Sequence, residues 1–176
     1  MLPIRYTTSL SVIAAALLAA GCASTGGIED LPRPKSGHWQ VSSTDQAGDT
    51  VTFQDCMDKD TFYKTRELQK AKHDVQQCQT GSNKDSNGWQ FTSNCKVGQT
   101  EQRIETSRKI TGDFQTNFHV LSVTKQQMPD GKIVETTRNI MGEYMGACPA
   151  GMKPGDRMFP DGNKINFYDI TGLQAK

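Results

Sequence analysis

Length, composition and charge already exclude several classes of protein. The chain has 176 residues, which suits one domain rather than two. Its 20 basic and 19 acidic side chains give a net charge of +1, so it lacks the basic excess that nucleic-acid-binding domains show. Charged residues make up 22% of the chain, which is ordinary for a folded protein, and aromatic residues make up only 7%, so we expect a modest core.

The first 21 residues have the pattern of an export signal. Arg5 is the only charged residue before Glu29, and an apolar run over residues 10–20 follows it. This run has the length of the apolar part of a signal peptide and is too short to span a bilayer. We therefore expect residues 1–21 to be removed from the mature protein.

The signal ends in a stretch that resembles the lipobox of bacterial lipoproteins, Leu18-Ala19-Ala20-Gly21-Cys22. In that family the cysteine receives a diacylglycerol and an acyl chain, and such a multiple anchor is permanent. The resemblance therefore implies a lipidated Cys22; the alternative is ordinary secretory cleavage that leaves Cys22 as a free thiol. Ala23, rather than an aspartate, follows the cysteine. In a Gram-negative envelope this implies an outer-membrane anchor with the domain facing the periplasm.

Four further cysteines belong to the mature domain: Cys56, Cys78, Cys95 and Cys148. An even number in an exported domain predicts two disulfides, for which three pairings are possible. We favour Cys78–Cys95, because the segment between them is short and polar, and this choice leaves Cys56–Cys148. A metal site is disfavoured because the sequence has no C-x-x-C and its three histidines show no ligand spacing.

Alternation of apolar and polar residues predicts most of the strands. The predicted runs lie around residues 39–41, 51–53, 89–95, 104–110, 114–120 and 132–141. A Pro-Asp-Gly turn at 160–162 predicts a further hairpin between 157–159 and 164–168. The polar segment 79–87, by contrast, is expected to be a mobile loop.

One helix is predicted over 61–72, where Lys, Arg, Glu, Gln and Leu are frequent. Strands in sequence order joined by tight turns predict a mainly β fold, an antiparallel meander that forms a half-open barrel or a two-layer sandwich. The helix is expected to cover one end or edge, and the disulfides to link the sheet.

The expected organisation therefore has four parts. The signal peptide at 1–21 is followed at 22–36 by the lipidated cysteine and a tether rich in Gly and Pro. The β-rich domain occupies 37–148, and a C-terminal extension with a short hairpin occupies 149–176.

A second resemblance comes from the start of the predicted domain, Pro34-Lys35-Ser36-Gly37-His38-Trp39-Gln40-Val41. This motif resembles the opening of domain-of-unknown-function family 3617 (DUF3617), in which a Pro/Gly pair precedes a tryptophan strand. The spaced cysteines and the late Gly-x-Cys at 146–148 are similar to that family too. The family is exported, often lipidated and without an established activity. The resemblance therefore implies compartment and fold, and supplies no catalytic residues.

No motif in the sequence points to catalysis. None of the histidines His38, His73 and His119 stands beside a nucleophile motif. The late methionines 141, 145, 152 and 158 suit Cu(I) as thioethers, but we favour core or rim packing for them. We expect no enzymatic activity, no cofactor and no metal.

The function that we expect is binding in the envelope. The partner is an envelope protein, a glycan or a small apolar ligand, in addition to the membrane that holds the anchor. The candidate binding surface comprises Trp39, Trp89, Phe91, Phe114 and Phe118. One alternative is an inhibitor of hydrolases such as lysozyme that presents the loop 79–87 to a cleft, and a less favoured one is an envelope hydrolase.

Overall fold

The computed structural model describes residues 32–59, 61, 78–98, 100 and 102–171. These ranges contain nine strands: β1 (Gly37–Asp45), β2 (Thr50–Met57), β3 (Cys78–Asp85), β4 (Gly88–Lys96), β5 (Arg103–Gly112), β6 (Asn117–Gln127), β7 (Ile133–Gly146), β8 (Asp156–Met158) and β9 (Lys164–Asn166). A short helix, α1 (Phe167–Thr171), follows the last strand. Among the described residues, no helix has the length and hydrophobicity to cross a membrane.

Several predictions concern residues that the structure does not describe. The signal peptide at 1–21, the lipidation site Cys22 and most of the tether lie outside the described residues. The same holds for the predicted helix at 61–72 beyond its first residue, and for His73.

All nine strands belong to one open antiparallel sheet, in the order β3-β4-β5-β6-β7-β1-β2-β8-β9. Strands β3 to β7 form the predicted meander, since each pairs with the next along the chain. The meander then returns to β1, and the β8–β9 hairpin around the Pro-Asp-Gly turn joins the sheet through β2. The mainly β, antiparallel fold is confirmed, although β2 and β3 are consecutive in the chain without being neighbours in the sheet.

The segment expected to be a mobile loop is instead a strand at the edge of the sheet. Residues 79–85 lie within β3, which pairs with β4 from Cys78↔Cys95 to Asp85↔Gly88. Only residues 86 and 87 form a turn. The prediction was wrong because it relied on side-chain composition, whereas an edge strand takes much of its stability from pairing with its neighbour.

The strand predicted from residue 114 begins three residues later, because a turn holds its first residues. Phe114 has a φ of 59°, and the Asp113 carboxylate accepts the backbone N–H groups of Gln115, Thr116 and Asn117 at 2.8, 2.8 and 3.2 Å. These hydrogen bonds hold the pKa of Asp113 well below its usual value, and the bond from the backbone N–H of Thr116 contributes most. The turn places the Phe114 ring against the sheet between β5 and β6.

The register divides the strand side chains between two faces, since antiparallel partners project to the same side. We call the face that carries Trp39, Trp89, Phe91 and Phe118 the aromatic face, and the other the opposite face. The core lies on the aromatic face, where buried Phe91, Ile110 and Phe114 are joined by partly buried neighbours. The core is therefore centred on β4, β5 and the turn that follows β5, and buried Trp39 and Val41 extend it onto β1.

Two disulfides link the sheet. Cys56–Cys148 joins β2 to the segment after β7 with a Cα–Cα distance of 5.5 Å. Cys78–Cys95 joins opposed positions of β3 and β4, with a Cα–Cα distance of 4.0 Å. These are the two pairs that the sequence analysis favoured.

Polar contacts hold the β2–β8–β9 end of the sheet, which we call the C-terminal corner; its members are Asp55, Asp156, Arg157, Lys164 and Asn166. Arg157 donates two hydrogen bonds of 2.8 Å to the Asp55 carboxylate. Asp156 is only 2% exposed, and its carboxylate accepts hydrogen bonds from Lys164, Asn166 and the backbone N–H of Lys153. Burial raises the pKa of Asp156, but these hydrogen bonds outweigh it, so the net pKa lies below the usual value.

Candidate functional site

The five aromatic residues predicted to form a binding surface come together, but mostly in the interior. Ring centroids lie 5.4 Å apart for Trp39 and Phe118, 5.6 Å for Phe118 and Phe114, and 6.2 Å for Phe114 and Trp89. Trp39, Phe91 and Phe114 are 0%, 8% and 4% exposed. These three residues therefore form the core and do not present a binding surface, because the alternation that identified them marks the face that the fold buries.

The local backbone explains how these rings approach each other. The Trp39 indole N–H donates to the carbonyl of Lys35 at 2.8 Å, which fixes the ring at the start of β1. Phe118 lies over Gly142, where an added Cβ would stand 2.2 Å from the ring. A glycine at position 142 is thus required for the two strands to carry Phe118 flat against the sheet.

A cleft of about 600 Å³ opens over the other end of the sheet, on strands β3 to β6. It is lined chiefly by the opposite face, and its lining is rich in hydroxyl and amide side chains, among them Gln79, Thr92, Asn94 and Ser107. The charged residues in the lining are Glu105 and Lys125. Four paired strands and the Cys78–Cys95 bridge hold the backbone of the residues that line it.

The charges in and around the cleft are satisfied by neighbouring side chains. Asn94 donates to Glu105 at 3.1 Å and accepts a hydrogen bond from Arg103 at 2.9 Å. Lys125 pairs with Glu135 at 3.4 Å across β6 and β7. Gln79 and Ser107 make no side-chain hydrogen bond within the described part of the chain. The cleft therefore offers neutral hydrogen-bonding groups rather than a net charge.

The described histidines lie on the opposite face and contact amide side chains. His38 Nε2 lies 3.0 Å from Gln54 Oε1, and His119 makes a short contact with Asn139. His119 stands directly opposite Met141, which is 53% exposed. In the described ranges no three His, Cys, Asp or Glu residues cluster so as to hold a metal ion.

Sequence reasoning missed the cleft. One side of the cleft is β3, where the polar composition of residues 79–87 had led to the prediction of a loop. Its other walls come from positions that register alone brings together, such as Ser107 opposite Thr92 and Val123. An alternation signal does not reveal such a site, since most of its residues are polar.

Comparison with known proteins identifies the family. The profile of a family described as a protein of unknown function (DUF3617) matches residues 34–148, which span β1 to the last cysteine. The match contains all four disulfide cysteines and the whole cleft. No curated protein and no solved structure matches the chain.

Proposed function

Because the chain belongs to the DUF3617 family, whose function is unknown, we propose a function from its own geometry: a lipid-anchored envelope protein that binds a glycan. In this proposal the signal at 1–21 is removed, Cys22 carries the lipid, and the domain faces the periplasm from the outer membrane. The two disulfides support an oxidising compartment, since structural disulfides are rare in the cytosol. The domain binds its ligand without transforming it.

The observation that carries the binding proposal is the composition of the cleft. Hydroxyl and amide groups both donate and accept hydrogen bonds, and the hydroxyl groups of a sugar do the same, so the two sets can pair. Glu105 is satisfied by Asn94 and Lys125 by Glu135, so neither adds a strong preference for a charged ligand. A volume of about 600 Å³ falls within the range typical of small-ligand sites.

The cleft also supports one of the partners that the sequence left open over the others. A small apolar ligand would leave the hydrogen-bonding groups of Gln79 and Ser107 without partners. An inhibitor of lysozyme-type hydrolases was expected to insert the loop 79–87, but these residues are mostly a paired strand. A neutral glycan is therefore the ligand that the cleft favours.

Binding is tested by titrating the purified protein with neutral oligosaccharides of N-acetylglucosamine and of glucose in a calorimeter. We expect one series to bind, and the variants Gln79→Ala and Ser107→Ala each to weaken it by at least fivefold. Thr50→Val, which removes an exposed hydroxyl on β2 away from the cleft, is the matched control. Absence of binding in both series, or equal losses in Thr50→Val, contradicts the glycan proposal.

The anchor is tested separately by Cys22→Ser. We expect this variant to leave the membrane fraction, because the thiol that carries the lipid is gone. Membrane fractionation identical to that of the unaltered chain contradicts lipidation without touching the binding proposal.

A further inference from the structure

The two faces of the sheet differ in their balance of charge. On the aromatic face the strands carry the basic residues Lys84, Arg108, Arg138 and Arg157 and the acidic residues Asp45 and Asp55. On the opposite face they carry the basic residues Lys96, Arg103, Lys109, Lys125 and Lys164 and the acidic residues Asp85, Glu105, Glu135, Glu143 and Asp156. Among the described strands, the aromatic face thus has an excess of two positive charges and the opposite face has none.

Two arginines account for this excess. Arg108 on β5 and Arg138 on β7 both lie opposite Ser122 on β6, so they occupy one row across the sheet. Adjacent strands are about 4.8 Å apart, which places the two arginine positions about 10 Å from each other. Neither guanidinium has an ion pair or hydrogen bond within the described part of the chain.

The surroundings of Arg108 reduce its hydration without supplying an acceptor from the described residues. Its side chain is exposed to solvent, yet surrounding protein removes part of its hydration, and this desolvation lowers its pKa. A cation that loses hydration without gaining an acceptor is unfavourable. An anion arriving from solvent would supply the missing acceptor.

The acidic residues of the same face are already engaged. Asp55 accepts both hydrogen bonds from Arg157. Asp45 stands opposite Arg138, but its Oδ1 accepts the backbone N–H groups of Ala47 and Asp49 at 2.9 and 3.0 Å in the β1–β2 turn. Asp55 is therefore engaged by Arg157, and Oδ1 of Asp45 is engaged by its own turn.

A neighbouring tryptophan also carries a hydrogen-bond donor that has no acceptor among the described residues. The Trp89 indole N–H is buried and has no hydrogen-bond partner among the described residues. The ammonium group of Lys84 lies 5.1 Å from the centre of the Trp89 ring. Trp89 stands two positions before Phe91, which is opposite Arg108, so the tryptophan and this arginine are diagonal neighbours on one face. We call Lys84, Trp89, Arg108 and Arg138 the donor patch.

We propose that the donor patch binds an amphipathic anion, with a phosphate or carboxylate head between Arg108 and Arg138 and an apolar body along the adjoining row. Arginine recognises both head groups through paired N–H donors, and the Ser122 position between the two arginines adds a hydroxyl. In the adjoining row, Val120 on β6 and Ile140 on β7 lie opposite one another and are half-buried, so they leave apolar surface for this body. This site lies on the other face from the glycan cleft and stands independently of the proposed function.

Calorimetric titration of the purified chain with three probes tests the proposal. Dodecyl phosphate carries both parts of the ligand, dodecyl maltoside carries the tail with a neutral head, and inorganic phosphate carries the head alone. We expect dodecyl phosphate, below its critical micelle concentration, to bind at least tenfold more tightly than either of the others. Equal binding of dodecyl maltoside and dodecyl phosphate overturns the proposal.

Matched variants locate the site. Arg108→Met and Arg138→Met each remove a guanidinium and keep an unbranched side chain, so each should weaken dodecyl phosphate binding at least tenfold. Lys109→Met removes the neighbouring cation on the opposite face and should change binding less than twofold. An equal loss in Lys109→Met, or no loss in either arginine variant, overturns the assignment, and thermal unfolding of each variant verifies that it is folded.

Binding to vesicles distinguishes the source of the anion, and it is measured in the Cys22→Ser background so that the proposed lipid anchor does not itself retain the chain. Retention of the chain by phosphatidylglycerol vesicles that is lost in Arg108→Met assigns the head group to a membrane lipid. Binding of monomeric dodecyl phosphate without such retention assigns it to a soluble amphiphile. Vesicle retention that persists in Arg108→Met, with no binding of the monomer, overturns the proposal.

Discussion

Charged groups lie in both the C-terminal corner and the donor patch, but only those of the corner have hydrogen-bond or ion-pair partners within the described part of the chain. Asp156 is almost fully buried and accepts three hydrogen bonds, and Asp55 receives a bidentate arginine. In the donor patch, Arg108 loses hydration and no carboxylate of the described chain reaches it. We therefore interpret the partnered charges of the corner as structural and the two unpartnered arginines, which share one row, as a ligand site.

The disulfides provide the largest test of this comparison, because one lies at each end of the sheet. Replacing Cys56 and Cys148 by Ser opens a loop of 92 residues and should lower the free energy of unfolding by about 4–5 kcal/mol. The same change at Cys78 and Cys95, 17 residues apart, should cost about 3 kcal/mol. Urea denaturation measures both; a larger loss for the shorter loop would show that the β3–β4 edge contributes more than chain entropy.

Asp156→Ala directly tests the C-terminal corner, in which the charged groups have partners. It leaves the backbone N–H of Lys153 without its acceptor and the amide of Asn166 with only the Pro154 carbonyl, and the expected loss is about 2–4 kcal/mol in the free energy of unfolding. Asp49→Ala, an exposed acidic residue in the β1–β2 turn, is the control and should change stability by about 0.5 kcal/mol or less. Equal effects of the two substitutions would remove the structural role assigned to the corner.

Gly142→Ala tests the aromatic core that lies between the two regions. The added Cβ would stand 2.2 Å from the Phe118 ring, so the ring or the strand must shift. We expect a loss of about 1–3 kcal/mol, as for other overpacked cores. Gly131→Ala, at a turn where a Cβ meets no atom within 4 Å but φ is 83°, separates backbone strain from this clash. An unchanged melting temperature for Gly142→Ala would contradict the close packing.

The smallest effect expected is a dependence of stability on acid pH. Because the folded pKa of Asp156 is lowered, its ionised form stabilises the fold above the unfolded pKa of about 3.9. This contribution should fade as the pH drops below about 4 and through the folded pKa. Asp156→Asn should flatten that part of the curve of unfolding free energy against pH, and an unchanged curve would show that other carboxylates control acid unfolding.

The extent to which the sequence predicts this fold differs between elements. Strands such as β1 and β4 were predictable because apolar and polar residues alternate around Trp39 and Phe91. Strand β3 was not, because its residues are polar and its stability comes from pairing with β4. The disulfide pairing was favoured correctly because Cys95 ends a recognisable strand close in sequence to Cys78.

Neither candidate site could be predicted from the sequence alone. Arg108, Ser122 and Arg138 are far apart in the chain, and only the registers of β5, β6 and β7 place them in one row. The aromatic residues were visible, but alternation marks the buried face without distinguishing a core from a binding surface. Sites built from register therefore require the fold before they can be identified.

The most direct test of the donor patch compares the unfolding free energy of the chain and of the double variant Arg108→Met/Arg138→Met, with and without dodecyl phosphate. Without the probe, we expect the double variant to be at least as stable as the unaltered chain, because no described residue partners the two guanidinium groups. At a hundredfold excess over the dissociation constant, the probe should stabilise the unaltered chain by about 2.7 kcal/mol and leave the double variant unchanged. A double variant that is less stable without the probe, or equally stabilised by it, would contradict the account.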